Sequence, residues 1–151
     1  MKQIAYSIIL LLVILCNRAS AQKASIFPKG EKSTNVHNTG TVWLHELNVP
    51  DSVFNYSIAQ AVFEPGAKLD WHIHPAGQIL LISQGTGYYQ ERGKPKQTVH
   101  KGDIIKCLPG VEHWHGAAPK SSFAYIATTP AHNGKTIWLK RVTNKEYQGV
   151  N

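Results

Sequence analysis

Apolar and polar residues alternate along most of the chain, in short runs that are separated by turn residues. Alternation of this kind predicts β-strands, because successive strand side chains point to opposite faces of a sheet. The turn signals include Gln84-Gly85, Lys101-Gly102, Pro109-Gly110 and Asn133-Gly134. The pattern predicts a short helical turn at 143–147 and strands over residues 40–47, 54–63, 69–74, 78–83, 87–91, 97–99, 103–108, 113–117, 123–127 and 136–141.

Many short strands at this spacing, without a strong helical period, are typical of an all-β sandwich or barrel. The 151 residues suffice for one domain with a core of its own. A polar, turn-rich stretch before the first strand reads as an arm that lies over this domain. We therefore expect a signal peptide, the arm, a barrel and a C-terminal tail, with bounds 1–21, 22–39, 40–141 and 142–151.

The first residues have the features of a secretory signal. Lys2 supplies the positive start, residues 8–15 are apolar, and Ala19-Ser20-Ala21 is a small-residue cleavage site. The apolar run is too short to span a membrane. We expect cleavage after Ala21 and export to the periplasm or beyond, with no membrane attachment afterwards. Cys16 leaves a lipoprotein anchor open, although Leu15 before it is not a small residue.

The charge and cysteine content of the chain argue against a nucleic-acid partner and an internal disulfide. Loss of Lys2 and Arg18 with the signal lowers the formal charge from +7 to +5, and the remaining basic residues are scattered. A nucleic-acid surface needs a clustered basic stripe with stacking aromatic residues, so we expect no nucleic-acid partner. The mature chain would keep Cys107 alone, which excludes an internal disulfide and predicts a small buried side chain.

Two pairs of histidines carry the candidate chemistry. His72 and His74 are two residues apart on a predicted strand, so both imidazoles lie on one face. A break at 75–77 precedes Gln78, which a chain reversal would bring back beside them. His113 and His115 repeat the arrangement after Pro109-Gly110. Imidazole nitrogens suit zinc, copper, iron, nickel and, less tightly, manganese.

The spacing of these residues resembles the paired signature motifs of the cupin superfamily. The first motif runs from Gly66 through the histidine pair to Gly85, and the second runs from Gly102 to His113. There are departures: Gln78 stands where glutamate is usual, the second motif is one residue longer, and Ala117 replaces a final asparagine. With these features the chain resembles, over about 27–147, small single-domain bacterial cupins that include manganese-dependent hydroxynitrile lyases and cupins related to carboxymuconolactone decarboxylase-like proteins.

The resemblance implies a double-stranded β-helix (jelly-roll) barrel with four metal ligands, His72, His74, Gln78 and His113. It implies a divalent ion, first manganese and otherwise iron, zinc or nickel, and a homodimer or homotetramer. Because three imidazoles and an amide are uncharged, the ion would keep its full charge and act as a strong Lewis acid.

His115 shares the face of His113 but is not needed as a ligand. A histidine with a pKa near neutrality at this position would suit a general base, the role that the resemblance implies. A packing role is the alternative. Ala59 and Ala61, which alternate with Gln60, and Thr129 are predicted to line the substrate pocket, whereas Trp71, Ile73 and Trp114 are predicted to face away.

Three functions remain open from the sequence. The first is a lyase that breaks a carbon–carbon bond of a small oxygenated substrate, as in cyanohydrin cleavage, with His115 moving the proton. The second is an iron- or manganese-dependent oxygenase, which would consume oxygen. The third is a non-catalytic cupin that binds a small molecule.

Overall fold

The computed structural model describes residues 25–149. The predicted signal peptide, with Cys16 and the cleavage site, lies outside the described residues, as do residues 22–24, 150 and 151. The described chain forms twelve strands and one short helix. Their bounds are β1 Glu31–Lys32, β2 Asn38–Thr39, β3 Val42–Asn48, β4 Tyr56–Phe63, β5 Lys68–Leu69, β6 His72–Ile73, β7 Gln78–Glu91, β8 Gln97–His100, β9 Ile104–Cys107, β10 His113–Ala117, β11 Phe123–Pro130, β12 Ile137–Trp138 and α1 Asn144–Gln148.

The strands form a curled antiparallel barrel with two facing sheets. One sheet has the order β1-β3-β4-β11-β7-β9. The other places β10 between β7 and the short strands β5 and β6, with β8, β2 and β12 outside them. Strand β7 is shared, because its first half pairs with β9 and β11 and its second half with β8 and β10. This is the double-stranded β-helix that the resemblance implies.

The prediction of a turn at Gln84-Gly85 between two separate strands is wrong, because β7 runs without interruption from Gln78 to Glu91. Gly85 has a φ of +72°, and a Cβ atom at this position would overlap the carbonyl group of Ser122 on the approach to β11. The register between β7 and β11 also shifts, between Ala124 and Tyr125. The glycine therefore bends the strand from one sheet into the other instead of ending it.

The predicted strand 69–74 is divided where its pairing partner changes. β5 pairs with β2 of the arm, whereas β6 pairs with β12 near the C-terminus. Between them the Asp70 N–H donates to the carbonyl of His37, and the Trp71 N–H donates to the carbonyl of Lys140. Segments from both ends of the described chain thus flank the first histidine pair.

The core lies between the two sheets, and a second apolar cluster lies outside them. Phe63, Leu80 and Phe123 are fully buried in the core, and Cys107 is buried there too, as predicted. Trp71 and Trp114 alternate with the histidines and therefore occupy the opposite face of their strands, where they pack with Val142, Tyr88 and Tyr147. This second cluster connects the C-terminal segment to the strand that carries His113.

Helix α1 closes the C-terminal segment with well-defined ends. Thr143 is its N-cap and forms a capping box with Glu146, and Gly149 ends the helix with a φ of 72°. The helical turn predicted near residue 143 is thus present. Among residues 25–149, we find no helix with the length and apolar character needed to cross a membrane.

Candidate metal centre and cavity

Three buried histidines converge inside the barrel. Strands β6 and β10 are antiparallel neighbours with His72 opposite His113, and His74 follows β6 by one residue. Each of the three imidazoles offers a nitrogen, and these nitrogens lie within 4.8 Å of one another. A spacing of this size allows the three rings to share one metal ion.

Hydrogen bonds fix the orientation of these rings. Nδ1 of His72 donates to the carbonyl of Asp70 at 2.7 Å, and Nδ1 of His113 donates to the carbonyl of Val111 at 2.9 Å. Because a carbonyl only accepts, the proton is on Nδ1 and the lone pair is on Nε2 in both rings. Nε2 of His113 is buried and has no hydrogen-bond partner in the described part of the chain. Rings held in this way fit a divalent cation.

Gln78 presents an oxygen that is suited to the same ion. Its Nε2 donates to Oγ1 of Thr129 at 2.8 Å, which fixes the orientation of the amide group. The amide oxygen Oε1 is buried and has no hydrogen-bond partner within residues 25–149. Gln78, His72 and His74 line one cavity. The assignment of Gln78 as the fourth ligand remains a prediction.

His115 lies beside the three converging histidines without joining them. It is 1% exposed on β10, and its ring centroid lies 5.1 Å from that of His72. It lines the same cavity, and neither of its ring nitrogens has a hydrogen-bond partner among the described residues. His115 is therefore an additional imidazole at the edge of the candidate metal centre.

Burial keeps the four imidazoles neutral. The pKa of His115 is well below its usual value because the ring is buried and because His72 is close to it. Burial and the neighbouring His113 lower the pKa of His74 to about 4. The expectation of a pKa near neutrality for His115 is wrong, because a positive charge on this buried ring would be neither hydrated nor paired. All of the ring lone pairs are available at neutral pH.

The cavity has a volume of about 670 Å³. Ala59, Ala61 and Thr129 line it, whereas Trp71 and Trp114 do not. Of the described residues that line the cavity, none is acidic, and the basic side chain among them is that of Lys135. The described cavity wall therefore offers no carboxylate to a bound cation, and Glu91, opposite His113 on β7, is an acidic residue close to the converging histidines.

Sequence reasoning missed the part of the cavity wall that lies near the C-terminus. Thr136 and Trp138 line the cavity beside the histidines. The ring of Trp138 packs against both His37 and His72, with centroid distances of 4.9 and 5.0 Å. The predicted strand 136–141 placed Thr136 and Trp138 on one face, but nothing in the sequence indicated which face meets the metal centre.

An antiparallel double-stranded β-helix with histidines converging inside it defines a barrel of the cupin class. A model of the cupin domain family matches residues 59–128. The chain is 38% identical over 112 residues to an (R)-mandelonitrile lyase from Granulicella tundricola, which covers 73% of this chain and 85% of that protein. The chain belongs to the cupin family, as the sequence resemblance indicated.

Solved structures agree with this assignment. A cupin-like protein from Thermotoga maritima superimposes with a TM-score of 0.80 at 44% identity, over 83% of this chain and 96% of that one. A protein with a double-stranded β-helix domain from Klebsiella pneumoniae shares the fold, with a TM-score of 0.58 at 17% identity, over 79% of this chain and 100% of that one.

Proposed function

We propose that this chain is a metal-dependent lyase that cleaves small hydroxynitriles, with His115 as the base. The observation that carries the proposal is the position of His115, which is buried in the cavity beside the three converging histidines and has both ring nitrogens unpartnered. Similarity to a protein named (R)-mandelonitrile lyase supports the choice of reaction.

The proposed metal centre consists of His72, His74, His113 and the amide oxygen of Gln78. The proposed ion is manganese, with iron, zinc and nickel as alternatives, because nitrogen and oxygen donors accept all four. When bound, such an ion supplies Lewis-acid chemistry that polarises a substrate oxygen. Because the proposed ligands are uncharged, they would not reduce the positive charge that polarises the substrate oxygen.

The cavity suits a substrate that has an apolar body and one oxygen. Its walls include Ala59, Ala61, Phe63 and Leu69, whose side chains offer dispersion contacts and no hydrogen bonds. The histidines and Gln78 supply polar groups to the same cavity. A small aromatic or branched hydroxynitrile would place its hydroxyl group beside the histidines and its hydrocarbon part along the apolar walls.

In the proposed reaction, His115 accepts the proton of the substrate hydroxyl group. The carbon–oxygen double bond forms as the bond to the nitrile carbon breaks, and cyanide leaves with the electron pair of that bond. The protonated His115 then returns its proton to cyanide, so that the products are an aldehyde and hydrogen cyanide. Burial of His115 favours the return of the proton, because a charged imidazole is unstable there.

The test is the release of benzaldehyde and cyanide from mandelonitrile by protein loaded with Mn²⁺. We expect His115→Ala to lower the rate by about 10²–10⁴-fold, the usual contribution of a general base. Bound manganese should be unchanged by elemental analysis. His132→Ala, in an exposed position on a loop, serves as the matched control and should keep the wild-type rate. Full activity without His115 would refute its role, and oxygen uptake in the same assay would favour an oxygenase instead.

We also propose export through the predicted signal peptide and association of the chain with a second copy. Ile79, Leu81 and Ile104 are 43%, 40% and 60% exposed, and Leu81 pairs with Ile104 on the outer face of β7 and β9. A two-fold dimer buries the same apolar patch of both copies, which supports this choice. Light scattering should give a dimer or tetramer for the mature chain and a smaller species for Leu81→Glu.

A further inference from the structure

We propose that Thr136 is a positioning residue of the metal centre, because its hydroxyl group sets the orientation of His74. Oγ1 of Thr136 lies 3.2 Å from Nδ1 of His74. The inference rests on metal binding by the three histidines and does not depend on the lyase reaction.

The partner of His74 differs in kind from those of the other two rings. His72 and His113 each bond to the carbonyl group of the residue two positions earlier, Asp70 and Val111. Those two orientations are set locally, by the strands that carry the rings. His74 instead bonds to a side chain 62 residues further along the chain. Its orientation is therefore supplied by tertiary structure.

Strand β12 brings Thr136 to this position. β12 pairs with β6 in a register that places Ile137 opposite Ile73 and Trp138 opposite His72. Continued by one residue, this antiparallel register places Thr136 opposite His74. Two backbone hydrogen bonds extend the pairing in the other direction, from Leu139 N–H to the carbonyl of Trp71 at 2.8 Å and from Trp71 N–H to the carbonyl of Lys140 at 3.0 Å.

Packing of Trp138 holds the same register. Its ring stacks on His37 with an interplanar angle of 7° and also packs against His72, at a tilt of 45°. A slip of β12 by one residue would reverse the faces of Thr136 and Trp138, which would remove both from the site. Strand β12 thus braces two of the three converging histidines.

The hydroxyl oxygen of Thr136 can accept the Nδ1 proton of His74, which leaves the lone pair on Nε2 for the ion. Without the hydroxyl group Nδ1 of His74 loses this partner, and the hydrogen bond to Thr136 no longer holds the ring orientation. Loss of a group that orients a metal-bound histidine typically weakens metal binding by about 10–100-fold.

The test compares Thr136→Val, which removes the hydroxyl group at nearly constant volume, with Thr136→Ser, which keeps it. Mn²⁺ affinity is measured by competition with a chelator, and ring tautomers of the metal-free protein are measured by ¹⁵N NMR. We expect about 10–100-fold weaker binding for Thr136→Val, together with a changed tautomer population of His74. Thr136→Ser and the control Thr98→Val, an exposed position on β8, should both behave as wild type.

Wild-type affinity and an unchanged His74 tautomer in Thr136→Val would overturn the proposal. If wild type and variant both bind none of Mn²⁺, Fe²⁺, Zn²⁺ and Ni²⁺, the metal centre itself is refuted together with this inference, whereas equal binding by both refutes only the role of Thr136. Thermal unfolding of each variant checks the fold. Thr136→Ala, which removes the hydroxyl group without adding a methyl group, repeats the test if Thr136→Val does not fold.

Discussion

Glu146 is predicted to stabilise the barrel through the C-terminal helix. Its Oε2 accepts hydrogen bonds from the N–H group of Thr143 at 2.8 Å and from the hydroxyl of Thr143 at 2.9 Å. Its Oε1 lies 3.1 Å from Nη1 of Arg92 and 3.7 Å from Nζ of Lys140. The next residue, Tyr147, packs on Trp114 and donates to the carbonyl of Ala117 on β10. Glu146 therefore holds the start of the helix and ties it to Arg92, while Tyr147 anchors the helix to the strand of His113.

The pKa of Glu146 sets the size of the effect. Partial burial raises this pKa, but the hydrogen bonds from Thr143 and Arg92 outweigh burial and lower the pKa from 4.5 to about 2. A lowering of this extent corresponds to at most about 3 kcal/mol of folding free energy. The Glu146 and Arg92 side chains are 24% and 37% exposed, so solvent screens part of it. We expect Glu146→Gln to cost about 1–2 kcal/mol at pH 7.

The direction of the pKa shift decides how the stability contribution of Glu146 changes with pH. Because the pKa of Glu146 is lower in the folded state, its contribution is complete above about pH 4.5 and is lost as the pH falls toward 2. Urea unfolding at pH 7 and pH 3 should therefore show a difference between wild type and Glu146→Gln that falls to less than half at pH 3. Glu46→Gln, at an exposed position, is the control. An equal difference at both pH values would refute the assignment.

Two further predictions concern close packing and the arm. In Gly116→Ala, the added Cβ would lie 2.5 Å from Cβ of Lys68 and 2.6 Å from the carbonyl oxygen of Ala67. We expect the free energy of unfolding to fall by about 1–3 kcal/mol and metal binding to weaken, since β5 leads to His72. Unchanged urea unfolding would contradict this prediction. The fully buried Gln60 accepts from Ser25 and donates to the carbonyl of Pro28. Gln60→Ala should cost about 1–3 kcal/mol and speed hydrogen exchange at residues 25–28; unchanged exchange would show that the arm is held by other contacts.

Local pattern predicted the all-β class and the shared face within each histidine pair, whereas the double-stranded β-helix followed from the family resemblance. His72 and His74 share a face because strands have a period of two, and the same rule placed Trp71 and Trp114 on the opposite side, where they form the second cluster. The family motifs then indicated that the two histidine pairs meet. The features that pattern alone predicted depend on residues that are close together in the sequence.

Features that depend on tertiary pairing could not be predicted in this way. Glycine is typical of turns, so the sequence indicated a turn at Gly85. The close approach of Gly85 to the carbonyl group of Ser122 shows instead that β7 bends at this residue and continues. Thr136 reaches His74 through a strand pairing between distant segments, for which the sequence contains no local signal. The lowered pKa of His115 arises from its burial among other imidazoles. The alternation of apolar and polar residues indicates the face of a side chain but not the depth of its burial.

The most direct test of the account is the metal content of the purified mature chain and of its ligand variants. Elemental analysis after dialysis should find about one divalent ion per chain in the wild type. Binding should be lost in His72→Ala, His74→Ala and His113→Ala, weakened in Gln78→Ala and retained in the exposed-site control His100→Ala. A wild-type chain that binds no divalent ion, or one that binds it equally well without these histidines, would contradict the account.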